Sequence, residues 1–158
     1  MDFGKIFSGE KAHQIDDKNR IRIPSCFRDK LGSDYVMGEG FIPGTIDIYP
    51  RETIDKKLLA LFEKVINDSF DPEQHKLVSE FSANYKQVSE DSQGRVVIPE
   101  DVLKVVSLEK DVVTIGAIDH LVLMSASDRA KQKENKSFAS TVKDLNTLMK
   151  KKEQEKNV

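Results

Sequence analysis

The chain has 158 residues, 38% of them hydrophobic and 33% charged, with a formal net charge of −2. That length suits one compact domain or two small intertwined ones with a sizeable core, and no apolar run approaches the roughly 20 residues that cross a bilayer. Cys26 is the sole cysteine, which excludes an intrachain disulfide or thiolate metal cluster; residues 1–7 lack the apolar core of a signal peptide, and a cytoplasmic protein is expected.

Residues 1–10 carry two glycines and no clear period, so a mobile or loosely paired lead-in is expected. Residues 11–15 read as a short strand. Asp16 to Asn19 reads as a turn, because an aspartate side chain bonds nearby amides and asparagine tolerates a left-handed backbone. In Arg20-Ile21-Arg22-Ile23 the alternation puts the isoleucines on a core face and the arginines outward. Pro24 suits the first turn of a helix, where its missing N–H costs nothing. A short helix follows over residues 25–31, with Phe27 and Leu31 on one face and Gly32 closing it. Two strands complete the unit, around Tyr35-Val36-Met37 and over residues 45–49. Gly38-Glu39-Gly40 between them is expected to be a turn.

Apolar residues from Ile54 to Ile66 recur at helical spacing. Asp71-Pro72-Glu73-Gln74 has the makings of a second helix start, with Asp as N-cap and Pro in the first position. Leu77, Val78, Phe81 and Tyr85 are expected to form its buried face. After a second strand-turn-strand, a short helix is expected around Val102, Leu103 and Val106. Strands follow over residues 111–115 and 120–124. Beyond Ser127 the chain turns polar and lysine-rich. Phe138, Val142, Leu145 and Met149 form one narrow helical seam, and residues 150–156 are expected to be solvated and partly disordered.

The organising feature is a repeat. Asp16, Arg20 and Pro24 recur as Asp91, Arg95 and Pro99, each 75 residues later. Gly94, the residue best suited to positive φ, answers to Asn19. One β-β-α-β-β unit used twice accounts for this. Charge is concentrated in the first copy: from Lys11 to Lys30 there are six basic residues against three acids. By contrast, an enzyme has little to stand on. Nucleophile elbow, phosphate-binding loop and His/Cys metal spacing are all missing. His13, His75 and His120 are scattered, and Asp16 and Asp17 point different ways along a turn. Arg20 and Arg95 can pin their turns by pairing with Asp16 and Asp91, or can meet phosphate or a guanine edge; both hold together if the carboxylate orients the guanidinium.

The repeated Asp-x-Lys-(Gly/Asn)-Arg-x-x-Ile-Pro pattern resembles the SpoVT-AbrB-type DNA-binding module. Two copies separated by a helix pair resemble the MraZ family of bacterial transcriptional regulators, over about residues 10–128. The resemblance implies a mixed, mainly β fold, in which the two units interlock as a swapped-hairpin barrel. Its parts would be repeat 1 (10–53), a helical connector (54–84), repeat 2 (85–128) and a charged C-terminal helix or tail (129–158). It also implies a ring-shaped homo-oligomer on double-stranded DNA, at promoter repeats of the division and cell-wall gene cluster including its own gene. That places the protein at the nucleoid, with no cofactor, metal, small-molecule substrate or membrane partner. The DNA-contacting positions fall on Lys18, Asn19, Arg20, Arg22, Gln93, Gly94 and Arg95, with Asp16 and Asp91 orienting the turns. Gln93 stands where the first copy has Lys18, so contact is expected to lean toward the first turn. The helix around residues 75–81 lacks the arginine pair associated with the family. Alternatives are an AbrB-like antitoxin, whose tail folds on a toxin, and a protein-interaction barrel that binds no DNA.

Overall fold

A computed structural model describes residues 6–66 and 70–157. The chain separates into two compact units, one through Ala126 and one from Ser127 onward. In the first unit the elements run β1 (Glu10–Gln14), β2 (Arg20–Arg22), α1 (Ser25–Leu31), β3 (Tyr35–Glu39), β4 (Ile46–Pro50), α2 (Arg51–Val65) and α3 (Pro72–Ala83). They continue β5 (Lys86–Val88), β6 (Arg95–Val97), α4 (Glu100–Val105), β7 (Asp111–Gly116) and β8 (Leu121–Ser125). Six strands form one antiparallel sheet in the order β1-β7-β8-β4-β3-β5, and β2 pairs with β6 in a separate two-stranded ribbon.

The 75-residue offset seen at the motif persists through the fold. It carries β2 onto β6 and β4 onto β8 residue for residue. It also matches buried position to buried position: Ile21 with Val96, Ile23 with Ile98, Phe27 with Val102, Leu31 with Val106, and Met37 with Val112. The pairing crosses between the halves. β1 lies against β7, and β5 lies against β3, so each half supplies an outer strand to the other. A three-residue ribbon is too short to hold itself in water. It is seated because Ile21 and Val96, opposite each other in register, are both 1% exposed and join the main core.

Local expectations are met where backbone chemistry is strong. Gly32 closes α1 at φ 75 and returns its N–H to the Arg28 carbonyl. Asp71 caps α3, accepting from the Glu73 amide, with Pro72 in the first turn. Four expectations are corrected. The lead-in is not loose where it is described: Phe7 is 1% exposed and exchanges backbone hydrogen bonds with Ile118, while residues 1–5 lie outside the described residues. Gly38-Glu39-Gly40 is not a turn. Gly38 and Glu39 belong to β3, and a Cβ on Gly38 would lie 2.6 Å from the Asn84 carbonyl oxygen, so glycine is there for close approach within a strand. Of the face expected for α3, Tyr85 is buried just beyond the helix, but no residue of α3 itself is, and Leu77 is 60% exposed. The apolar contact with the sheet is made by Ile54, Leu58 and Phe81, around Val36, Tyr49 and Tyr85, which leaves the far end of the helix pair uncovered. Finally, residues 150–156 are not disordered, because α6 (Phe138–Lys156) runs through them; they are solvated, as expected.

The second unit holds most of α5 (Ala126–Lys133) and all of α6. Ser137 starts α6 with a reciprocal capping box to Ser140. Its seam of Phe138, Val142, Leu145 and Met149 is exposed.

One ionic cluster fastens α2 to the sheet. Asp47 on β4 is 2% exposed and lies 3.6 Å from His120 Nε2, while His120 Nδ1 is 2.8 Å from Asp119. Asp119 in turn meets Lys57 of α2 at 2.9 Å, and the imidazole stacks on Tyr49 with centroids 4.4 Å apart. Burial pushes the His120 pKa down, but the facing carboxylates of Asp47 and Asp119 outweigh it and hold it above 6.5. Such a group adds stability that is complete below 6.5 and is lost as pH rises through its folded pKa. His13, which shares a 2.6 Å hydrogen bond with Thr114, has its pKa lowered by burial and acts oppositely, removing stability as pH falls below 6.5. His120→Gln is therefore expected to be less stable than wild type by on the order of 1 kcal/mol at pH 6, with the gap closing toward pH 8.5. Melting curves across that range check it. A gap independent of pH would show that the imidazolium contributes nothing.

Candidate nucleic-acid interface

Each copy of the motif folds into the same turn, almost atom for atom. In the first, Asp16 Oδ1 accepts from the Lys18 and Arg20 amides at 2.9 Å each, and Oδ2 accepts from Arg20 Nε at 2.7 Å. In the second, Asp91 Oδ1 accepts from the Gln93 and Arg95 amides at 2.8 and 2.9 Å, and Oδ2 accepts from Arg95 Nε at 2.9 Å. A backbone bond closes each, from Asn19 N to the Asp16 carbonyl and from Gly94 N to the Asp91 carbonyl. Asn19 at φ 58 and Gly94 at φ 75 supply the left-handed residue the turn requires. Glycine takes that conformation freely and asparagine tolerates it.

The carboxylates are held ionised by these contacts. For Asp16, partial desolvation pushes upward, and the amides and guanidinium of Arg20 with the Lys18 amide outweigh it, leaving the pKa low. For Asp91 the Arg95 amide is the leading cause of the same depression. Each aspartate engages its arginine through Nε. The guanidinium is thereby oriented, and among the described residues its terminal nitrogens make no hydrogen bond of their own, which leaves donors for a phosphate or a base edge.

Pairing of β2 with β6 then brings both turns to one ribbon. Arg20 lies opposite Val97, and Arg22 lies opposite Arg95. Because opposite residues in an antiparallel pair share a face, the solvent side of the ribbon carries Arg20, Arg22 and Arg95 around an exposed Val97. Like charges directly opposite one another destabilise a ladder. Among the described residues Arg22 has no carboxylate within salt-bridge distance, whereas Arg95 is paired with Asp91, so the cation left over on this face is Arg22. Lys18 and Gln93 are exposed on the turns. All seven residues expected from sequence are thus on or beside the ribbon.

Sequence reasoning passed over Arg28 on α1. Its guanidinium lies against the second turn: a Cβ on Gly94 would be 3.0 Å from Nη2. The signal was present in the copy comparison, where Arg28 stands opposite Leu103. It was unreadable without knowing that α1 packs beside the other copy's turn. Among the described residues, no cluster of three or more His, Cys, Asp or Glu side chains could hold a metal ion, and no helix is long and apolar enough to cross a membrane.

The fold and site define a mixed, mostly antiparallel protein with two matched Asp–Arg turns joined on one basic ribbon. Residues 81–151 match the family described as "MraZ protein, putative antitoxin-like". A protein of Clostridium tetani named transcriptional regulator MraZ is 34% identical over 125 residues, covering 76% of this chain and 82% of that one. Its namesake in Clostridium beijerinckii is 32% identical over 149 residues, covering 90% and 99%, and that of Rhodococcus opacus is 32% identical over 122 residues, covering 77% and 82%. The chain belongs to the MraZ family.

Proposed function

We propose that this chain is a transcriptional regulator that binds double-stranded DNA through the β2–β6 ribbon. The observation that carries the reading is the pair of Asp-oriented arginines, Arg20 and Arg95, on a face where Arg22, opposite Arg95, has no carboxylate of its own among the described residues. A phosphate backbone supplies the missing countercharge, and oriented terminal nitrogens suit a guanine edge. The names carried by the relatives point the same way. We read the exchanged outer strands and the 75-residue register as a swapped-hairpin barrel of two repeats, 10–53 and 85–128, with a helical connector over 54–84 and a tail from 129. The exposed apolar end of the helix pair supports a homo-oligomer, and a ring of such ribbons would engage several promoter boxes together, raising affinity through effective concentration. Boxes upstream of the division and cell-wall genes, including the protein's own gene, are the expected targets, and the nucleoid the expected place.

The deciding experiment is a mobility shift with DNA from upstream of the protein's own gene, using wild type and Arg20→Ala. Wild type is expected to shift the fragment with an affinity that falls as salt rises, and Arg20→Ala to lose about 1–3 kcal/mol per contacted site. Absence of a shift even at low salt overturns the regulator reading. A second reading, an antitoxin whose tail covers a toxin, is favoured by the exposed seam of α6. Removal of residues 129–158 leaves DNA binding intact if the ribbon alone is the operator site.

A further inference from the structure

Of the four side chains on the solvent face of the ribbon, three are arginines and the fourth is Val97. Val97 is 57% exposed, while Ile21 and Val96 on the other face are buried. The register puts every arginine beside it. Arg20 lies directly opposite, Arg22 lies diagonally across, and Arg95 precedes it by two residues on the same strand, so all three fall within roughly 5–8 Å. Arg20 and Arg95 are each held through Nε by an aspartate. Val97 therefore sits at a defined place between oriented donors.

Strand geometry does not require an apolar residue here. The position 75 residues earlier is Arg22, and the matching strand carries it on the same solvent face. An exposed valine adds nothing to phosphate contact and leaves apolar surface in water amid cations. A two-stranded ribbon fits the major groove, and of the four bases only thymine presents an apolar group there, its C5-methyl. We propose that Val97 packs on the methyl group of a thymine, next to a base or phosphate held by Arg20, which makes it a specificity-determining residue of the ribbon. The inference rests on the regulator reading above and deepens it by naming a base that the ribbon reads. A merely structural Val97 would supply strand propensity and leave thymine unread.

The test is fluorescence anisotropy with a duplex from upstream of the protein's own gene, prepared with thymine and again with every thymine replaced by deoxyuridine. Deoxyuridine pairs in the same way and lacks only the methyl group. Wild type is expected to bind the deoxyuridine duplex about fourfold more weakly per engaged ribbon, the worth of burying one methyl-sized group. Val97→Ser, which removes both valine methyls, is expected to bind the two duplexes alike, with the wild-type salt slope because no charge has changed. Wild type that binds both duplexes equally, or Val97→Ser that keeps the wild-type ratio, overturns the assignment alone; wild type that binds neither duplex overturns the regulator reading beneath it. Val97→Arg places here the residue type that the first copy already carries, and it decides the matter if Val97→Ser melts too low. It is expected to lose the discrimination, and a retained wild-type ratio overturns the proposal.

Discussion

Arg22→Gln is expected to weaken DNA binding while making the free protein more stable. The two effects have opposite signs because one side chain serves the ligand at the expense of the fold. In the ribbon Arg22 stands directly opposite Arg95; relieving such a pair is worth about 0.2–1 kcal/mol, and because Asp91 already pairs with Arg95 the gain falls at the low end, about 1 °C in melting temperature. In the proposed DNA complex the same arginine is expected to supply a phosphate or base contact. Its loss reduces the salt slope by about 0.9 per chain and costs about 1–3 kcal/mol if a base edge is read. In a multivalent complex that loss is incurred at every engaged ribbon, so the drop in apparent affinity is compounded. Thermal melts and anisotropy titrations on the same preparations check both halves. A variant that melts lower and binds normally would show that Arg22 is a structural residue and remove it from the interface.

The neighbouring position behaves in the opposite manner. Ile21→Ala is expected to destabilise the protein by about 2–5 kcal/mol, the usual range for truncating a buried isoleucine. Ile21 is 1% exposed and lies opposite Val96, also 1% exposed, in the same core cluster as Ile23 and Ile98. These side chains are what hold a three-residue ribbon onto the rest of the fold. Against a total stability of about 5–15 kcal/mol for an ordinary domain, the loss is large enough to shift a urea midpoint well down. DNA binding should weaken with it, because the turns at either end lose their seat. If Ile21→Ala melts like wild type, the ribbon is held by something other than its buried face. The contrast between adjacent residues, one inward and one outward, follows from the period of two along a strand.

Much of the site was readable from local chemistry. An aspartate four residues before an arginine, with a left-handed residue between them, defines its own hydrogen bonds, because every partner lies within five residues of chain. The Asp16 and Asp91 turns therefore formed as expected. The inward isoleucines, the Asp71 cap and the Gly32 stop were equally local. The errors arose where neighbours came from far away in sequence. Phe7 carries no periodic signal, and it is core because its backbone pairs with Ile118 and its ring meets Phe27 edge-on. Gly38-Glu39-Gly40 has the composition of a turn, but Gly38 and Glu39 pair with Asp47 and Ile46 of β4, and Asn84 accepts from the Glu39 amide on the other side. The apolar residues of α3 have helical spacing, which establishes a face and says nothing about what covers it.

By itself, then, the sequence determined the repeated unit, its strand periods, the two Asp–Arg turns and the resemblance to a family. All of these depend on contacts within a few residues or on comparison of one copy with the other. Only the tertiary structure decided which copies' strands meet, that Arg22 faces Arg95, and that Arg28 lies beside Gly94 instead of its own turn. The reason is geometric. A short strand with one apolar face will pair with any partner of matching period, and register between segments 75 residues apart is settled by the shared core, where Ile21, Val96, Ile23 and Ile98 have to be buried together.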